Sequence, residues 1–512
     1  MLLSVEPALS HLPRRSSPPP LRVAGARLRS RVAAAVTLAL GIIPAGTAFA
    51  QQSSSATETP PGGPGRAYPN NPGIALGPVT LTFGGFTELA GIYRNRNETS
   101  DVGSDFNGGI PYLASPQSQT SEFRLSARQS RFSLLAQGAP AGGIRAEAYL
   151  ETDFLSSGST SNSRESNSYT LRMRQFYGRF TTDWGLDVLA GQNWSFLVLE
   201  NKGMKPRDED VPLTIDAQYV VGYNWTRNPQ LRVVEHFSPA FSLGLSIESP
   251  QTVTGNGGIT CAGLPSGTSC VPASVNYQNS GDAAGLENPD TTYTTDIAPD
   301  VIVKMAADPG FGHFELYGLG RWFRSNVSRS DDTVSGGGVG GGLILPLAGK
   351  ALSFEARGLV GKGIGRYGSA QLPDVTLKPT GELSPLKEYE ALFGLIFKPV
   401  DTFTLYGYAG REKESASYFS VGAETWGYGA PVYDNSGCYA TSGSGKCVAN
   451  TNSVDEVTAG FWWKYYQGAL GNLQFGLQAA YFQKNAFAGI GGAPSANMFV
   501  GMASFRYYPY QR

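Results

Sequence analysis

The sequence predicts an all-β chain: a 16-stranded antiparallel transmembrane β-barrel, with long loops outside and short periplasmic turns. Three observations predict it. Segments alternate apolar and polar residues with a period of two, and their polar faces carry charges that a dry core would not hold. The chain opens with an export signal, yet no later segment reaches the roughly 20 apolar residues of a spanning helix. Long and short connections alternate without a break of phase, so every long one falls at the same end.

Composition agrees. Only 16% of the 512 residues are charged, while Gly (65), Phe (26) and Tyr (25) are plentiful. The mean hydropathy of −0.18 suits a barrel, whose inward polar residues offset its outward apolar ones. Net charge is −1; without residues 1–50, which hold six Arg and one Glu, 34 basic and 40 acidic side chains remain, a net of −6. That balance gives nucleic-acid binding no electrostatic support.

The elements follow in order. Arg22, Arg27, Arg29 and Arg31 precede a short apolar run, 32–43, and Ala48-Phe49-Ala50 is a small-x-small cleavage site. Residues 1–50 therefore read as a signal peptide with an N-terminal extension, cleaved after Ala50. Residues 51–78, rich in Gln, Ser, Pro and Gly, read as a flexible periplasmic leader. The barrel takes 79–512. Its strands are expected near 80–94, 121–135, 144–154, 169–181, 186–196, 225–237, 241–249, 297–306, 313–325, 333–345, 351–364, 386–398, 402–412, 454–466, 472–484 and 496–510. The third alternates best, with Ile144, Ala146, Ala148, Leu150, Thr152 and Phe154 toward lipid and Arg145, Glu147, Tyr149, Glu151 and Asp153 toward water. In the second the phase blurs after Arg128. Either a bulge shifts the register there or that end lies below the bilayer, with Arg131 at a turn or subunit contact. Phe461, Trp462, Trp463, Tyr465, Tyr466, Trp322 and Tyr507 fit interfacial aromatic belts.

Four cysteines stand in two long outside loops. In an oxidising compartment the simplest pairing closes short local loops, Cys261–Cys270 and Cys438–Cys447. Neither loop contains histidine and neither spacing is C-x2-C, so a metal site is not expected. Gly336–Gly341 matches a G-x-G-x-x-G spacing but lies inside a glycine-rich strand, with no helix to present amides to a phosphate. No cofactor is expected. His236 and His313 have acidic neighbours in sequence, Glu235 and Glu315, but neighbours in a strand face opposite ways and no serine is expected beside either. An outer-membrane hydrolase is thus the weaker, enzymatic alternative.

Sixteen strands enclose a lumen wide enough for water. Arg124, Arg128, Arg145, Arg172, Arg174 and Arg232 fall on lumen-facing phases, and the first five come from three consecutive strands. They are expected to form a basic patch able to grip carboxylates bidentately. The connection 197–216, with Lys202, Lys205, Arg207, Asp208, Glu209 and Asp210, is expected to fold inward and narrow the lumen. The competing expectation is a surface flap, with the arginines paired to Glu147, Glu151 and Asp153.

FRLSARQSRFSL (123–134), TLRMRQFYG (170–178), VLAGQNWSF (188–196), RNPQLRV (227–233) and the closing ASFRYYPYQR (503–512) resemble, in this order, the DcaP-like outer-membrane porins. The resemblance implies a homotrimeric sixteen-stranded channel in outer-membrane lipid, with arginines in its constriction and a preference for small anions such as dicarboxylates. The chain departs from that family in its Pro/Gly-rich leader, which has no heptads, and in ending Tyr510-Gln-Arg. The combined expectation is an outer-membrane porin, a passive channel for small hydrophilic, carboxylate-bearing solutes. The alternative is a structural or adhesion barrel plugged by its loops.

Overall fold

The computed structural model describes residues 73–510, save 157–160, 162–163, 165, 217–218, 256–277, 281–291, 328–329, 379–381, 422–423 and 442–445. The expected signal peptide, most of the expected leader and the expected pair Cys261–Cys270 lie outside the described residues.

Sixteen long strands run antiparallel: β1 (Val79–Arg94), β2 (Glu122–Ser126, resuming as Arg131–Ala141), β3 (Ile144–Asp153), β4 (Arg172–Thr182), β5 (Leu186–Trp194), β6 (Arg227–Ser238), β7 (Phe241–Glu248), β8 (Asp300–Ala307), β9 (His313–Val327), β10 (Ser330–Leu347), β11 (Leu352–Lys362), β12 (Lys387–Val400), β13 (Phe403–Glu414), β14 (Thr451–Gly468), β15 (Gly471–Ala486) and β16 (Ser495–Tyr508). Each pairs with the next, and β16 returns to β1 from Thr87↔Tyr507 to Arg94↔Val500, which closes the wall. The expected count and closure hold. Gly73–Leu76, part of the expected leader, adds a short antiparallel pairing to the start of β1.

Burial follows the period of two. On β1 Glu88, Ala90, Ile92 and Arg94 are buried inside, while Leu89 and Tyr93 are exposed outside. On β3 Tyr149, Glu151 and Asp153 point inward, as the alternation requires. Two of the wall's several bulges interrupt this parity among the arginines. Four steps on β1, from Ala90 to Phe86, are matched by five on β2, from Ser126 to Arg131. The extra residue returns Arg131 to the lumen and turns Phe132 out. This corrects the reading of Arg131 as a turn or subunit contact. On β4 the extra residue falls between Met173 and Gln175, so Arg174 and Gln175 are both buried.

Short connections lie at one end, as between Ala141 and Ile144 or Val400 and Phe403, and most connections at the other end are long. The exception is β9–β10, whose strands extend to Val327 and from Ser330. Near the short-turn end outward rings meet in two groups, Phe461 with Phe475 and Tyr465 with Trp463 and Phe505, at 5.8–6.3 Å between centroids. Trp462 is the exception among the expected belt residues: it faces inward and its Nε1 donates to the Leu213 carbonyl at 2.7 Å. The glycines of β10 serve close strand approach. A Cβ on Gly340 would stand 2.4 Å from the Gly358 carbonyl oxygen, and Gly337 has φ +139°. Cys438 and Cys447 are disulfide-bonded in the connection between β13 and β14.

Candidate functional site: the lumen and its inward loop

The connection between β5 and β6, residues 195–226, folds into the barrel. Phe196, Leu197, Val198, Leu199, Met204 and Ile215 are fully or almost fully buried there. Irregular backbone carries unpaired amides and carbonyls, so burying it requires partners. The wall supplies them. Phe196 N donates to Glu248 (2.7 Å), Glu200 N to Glu315 (3.1 Å), Leu213 N to the Tyr408 hydroxyl (3.0 Å), Ile215 N to Gln478 (2.6 Å), Val221 N to Glu456 (2.8 Å) and Gly222 N to Glu412 (2.8 Å). Lys304 Nζ reaches the Val198 carbonyl at 2.7 Å, and Gln129 and Arg506 reach that of Ile215 at 3.0 Å each. The loop therefore touches walls on opposite sides of the lumen.

Its charged middle is divided. Arg207, with φ +68°, donates to Glu147 (2.8 and 3.2 Å) and to the Tyr177 hydroxyl (2.8 Å), which docks it on β3 and β4. Asp210 docks on Arg357 of β11 through its carboxylate, and its carbonyl accepts from Arg357 Nη1 at 2.6 Å. The Asp208 carbonyl accepts from Asn201 N and Nδ2 at 2.8 Å, a turn within the loop. Glu209 is buried and faces Asn193 Nδ2 at 3.4 Å. Burial pushes Glu200 and Glu209 above the ordinary carboxylate range, opposed in both by Arg232. Lys202 and Lys205 are exposed.

Only some of the expected arginines meet. Arg172 clamps Asp153 with two bonds of 2.8 Å. Arg174 bonds Glu151 at 2.5 Å and Asp153 at 2.9 Å. Arg131 approaches Glu151 at 3.7 Å, and Arg227 stands over the Trp194 ring at 4.7 Å, close enough to act on Glu151. Four guanidinium groups thus surround two carboxylates on one side of the lumen. Arg232 lies further round, with Glu200 at 3.4 Å and the Phe196 ring at 4.4 Å. Arg128 points to the loops, bonding Asp101 at 3.0 Å and stacking over Tyr169 at 3.9 Å. Arg124 pairs with Glu122 at the outer end, and Arg145 is exposed at the start of β3. The six do not form one patch, because parity fixes a face but not a height along the strand. The loop folds inward, and the nearby arginines meet Glu147, Glu151 and Asp153.

The opposite wall is acidic. Glu388 and Glu390 of β12 face Glu414 and Glu412 of β13 directly across the strand pair, and Glu456 follows on β14. Sequence reasoning passed over them, yet the signal was there: Lys387-Glu-Tyr-Glu390 and Arg411-Glu-Lys-Glu414 alternate acids with bases or tyrosine, which sends the acids to one face. Gly365 and Gly368, in the inward part of the β11–β12 connection, lie against these carboxylates. A Cβ on Gly368 would meet Glu412 Oε2 at 2.2 Å and Glu390 Oε2 at 2.6 Å.

Apolar side chains fill the space between. Val211, Leu213, Ile215, Val220, Val221 and Tyr223 of the inward loop pack with Val102, Phe106 and Ile110 of the β1–β2 connection and with Ala370 and Leu372. Beside Phe106's segment, burial raises Glu98 to about 7, against the pull of Arg94.

One chemical expectation needs correction. Ser242, directly across from His236, places its Oγ 2.8 Å from His236 Nδ1, with Asp187 at 3.9 Å from Nε2. Asp187 is also the bidentate partner of Arg179, at 2.8 and 2.9 Å, and Ser242 is buried. The histidine joins wall strands at the short-turn end. His313 is held between Asp308 (2.9 Å) and Glu315 (3.0 Å).

A closed antiparallel wall of sixteen strands with a long connection folded into its lumen is the architecture of this chain. The fold is similar to that of the DcaP outer-membrane channel of Acinetobacter baumannii, with a TM-score of 0.57, 15% identity, and coverage of 84% of this chain and 97% of that one. The anion-selective porin from Comamonas acidovorans matches at TM-score 0.45 and 10% identity, over 84% and 99% of the two chains. OprB of Pseudomonas putida matches at TM-score 0.44 and 11% identity, over 83% and 94%. No protein-family model and no curated protein matches the chain.

Proposed function

We propose that the protein is a passive diffusion channel of the bacterial outer membrane, cleaved after Ala50 and assembled as a homotrimer. Its solutes are small, hydrophilic and weakly selected for negative charge and carboxylate groups. The observation that carries the selectivity is the cluster of Arg131, Arg172, Arg174 and Arg227 around Glu151 and Asp153, which holds more guanidinium than carboxylate groups beside the inward loop. Arginine stays charged and accepts planar anions in fork geometry. The acidic wall on β12–β14 keeps that selectivity weak by repelling anions from the far side. Reversal potentials of purified protein in planar bilayers, under a KCl gradient, test this. Wild type is expected on the anion side, and Arg172→Ala with Arg174→Ala moves it toward the cation side. Cation preference unchanged by the substitutions refutes the arginine proposal.

The apolar packing inside the barrel favours a second reading, a barrel whose lumen is closed by its own loops. Absence of any conductance from correctly folded protein selects it.

A further inference from the structure

We infer that the outer surface of β9–β13, at its long-loop end, is a binding site for an acylated lipid whose headgroup carries phosphate monoesters. The site lies on the outer face of the wall, apart from the lumen and from the proposed channel. The same alternation that sends Glu388, Glu390, Glu412 and Glu414 inward sends Lys387 and Lys413 outward, and Lys362 shares their side. Lys362 lies directly opposite Lys387. Lys413 lies opposite Tyr389, one diagonal step from Lys387. Opposite positions on one face stand about 5 Å apart at Cβ and diagonal ones about 7–8 Å, and like charges so placed destabilise a sheet. Nearby outward acids are engaged chiefly by arginines, although Asp455 also acts on Lys413. Asp455 pairs with Arg411 at 3.0 Å and Asp331 with Arg324 at 3.5 Å. Among the described residues no ion pair forms at Lys362 or Lys387. An anion seated among the three lysines relieves their repulsion.

Beside and below them the wall is hollowed. Gly336, Gly337, Gly338 and Gly361 bring backbone to the surface with no side chain, and Val339, Val360 and Tyr389 border them. The depression is about 820 Å³ and is also lined by Lys362, Lys387, Lys413, Ser335, Ser415 and Glu388, whose side chain is buried on the inward face. Val339 and Val360 are 64% and 55% exposed. Lys362 ends β11 and Lys387 begins β12, so the ammonium groups stand at the long-loop end, at headgroup height, above an apolar groove. That order, cations above and aliphatic groove below, matches a phosphate above an acyl chain. A phosphate monoester carries close to two negative charges, which suits paired lysines better than a zwitterionic headgroup.

The test uses full-length exported protein in detergent and native mass spectrometry with added lipid A, dephosphorylated lipid A or phosphatidylcholine. Wild type is expected to retain lipid A over both others. The triple variant Lys362→Gln, Lys387→Gln, Lys413→Gln is expected to lose about tenfold in lipid A retention, from partly exposed ion pairs of modest strength acting together. Arg324→Gln with Arg411→Gln, where the arginines already have acids, is expected to retain it. Equal retention of dephosphorylated lipid A by wild type overturns the proposal whatever the variant does. So does a triple variant that binds lipid A as wild type does, or one that only dissociates subunits, which places the lysines between copies of the chain.

Discussion

Arg357 staples the middle of the inward loop to β11, and its removal gives a sharp test. Its guanidinium is buried; it donates to the Asp210 carbonyl at 2.6 Å, to the Asp210 carboxylate, and to Glu355 at 3.4 Å. Arg357→Ala leaves two carboxylates without their cation in a site that water reaches poorly. Breaking a buried pair from one side costs about 3–5 kcal/mol. The barrel wall is held by its ladders and will stand. The cost falls on the loop, whose other anchors at Leu213, Ile215, Val221 and Gly222 remain. Local opening around Asp210 should therefore become more frequent by about two to three and a half orders of magnitude. Hydrogen exchange of the amides from Arg207 to Leu213 reads this directly, and single-channel noise should rise with it. Asp210→Asn keeps a hydrogen-bond acceptor and relieves one carboxylate, so its effect should be smaller. Unchanged exchange and unchanged noise in Arg357→Ala would show that the staple does not hold the loop.

Two further outcomes are expected. Glu98 titrates near 7 when packed and near 4.5 when free, so packing raises its pKa and the packed loop binds the proton more tightly. That contribution, about 3 kcal/mol, is full below pH 4.5 and is lost as pH rises through 7. Amides of residues 100–110, corrected for intrinsic rate, should exchange faster above pH 7 than below 4.5, and Glu98→Gln should flatten the dependence; identical profiles for both proteins refute it. The Cys438–Cys447 bond closes a short loop and should contribute about 2–3 kcal/mol to local order. Reduction should expose the β13–β14 connection to protease, and peptide mapping that found free thiols or a Cys261–Cys438 link would overturn both proposed pairings.

The wall was legible because a strand between lipid and water must alternate, and the alternation survives in β1, β3 and β7 almost residue by residue. Counting phases gave the closure. What the period could not give was register. Bulges at 127–130 and at Arg174 each shift parity by one residue, which placed Arg131 wrongly and hid that Arg174 and Gln175 share a face. Trp462 was assigned to the outer belt from its aromatic neighbours, although Trp462 and Trp463 must point to opposite faces. The arginine patch failed for a related reason. Arg124, Arg145 and Arg172 have lumen parity, but they sit at different heights, and pairing decides which carboxylate each one meets. The acidic ladder was readable in the K-E-Y-E and R-E-K-E alternations once both strands were placed side by side. Inward folding of 197–216 was inferred from its length and charge; the contacts that hold it, mostly wall side chains on loop backbone, leave no mark in the loop's own sequence.

Those contacts make the barrel interior a receptor for a peptide that it carries on its own chain. Recognition runs through amides at Phe196, Glu200, Leu213, Ile215, Val221 and Gly222, which every residue except proline possesses. The shape of the bound segment is thus written in the pocket that receives it. Its side chains, apart from anchors such as Arg207 and Asp210, are free to be exchanged for others of similar bulk, so the bore could be retuned by editing this tethered ligand while its receptor stays as it is.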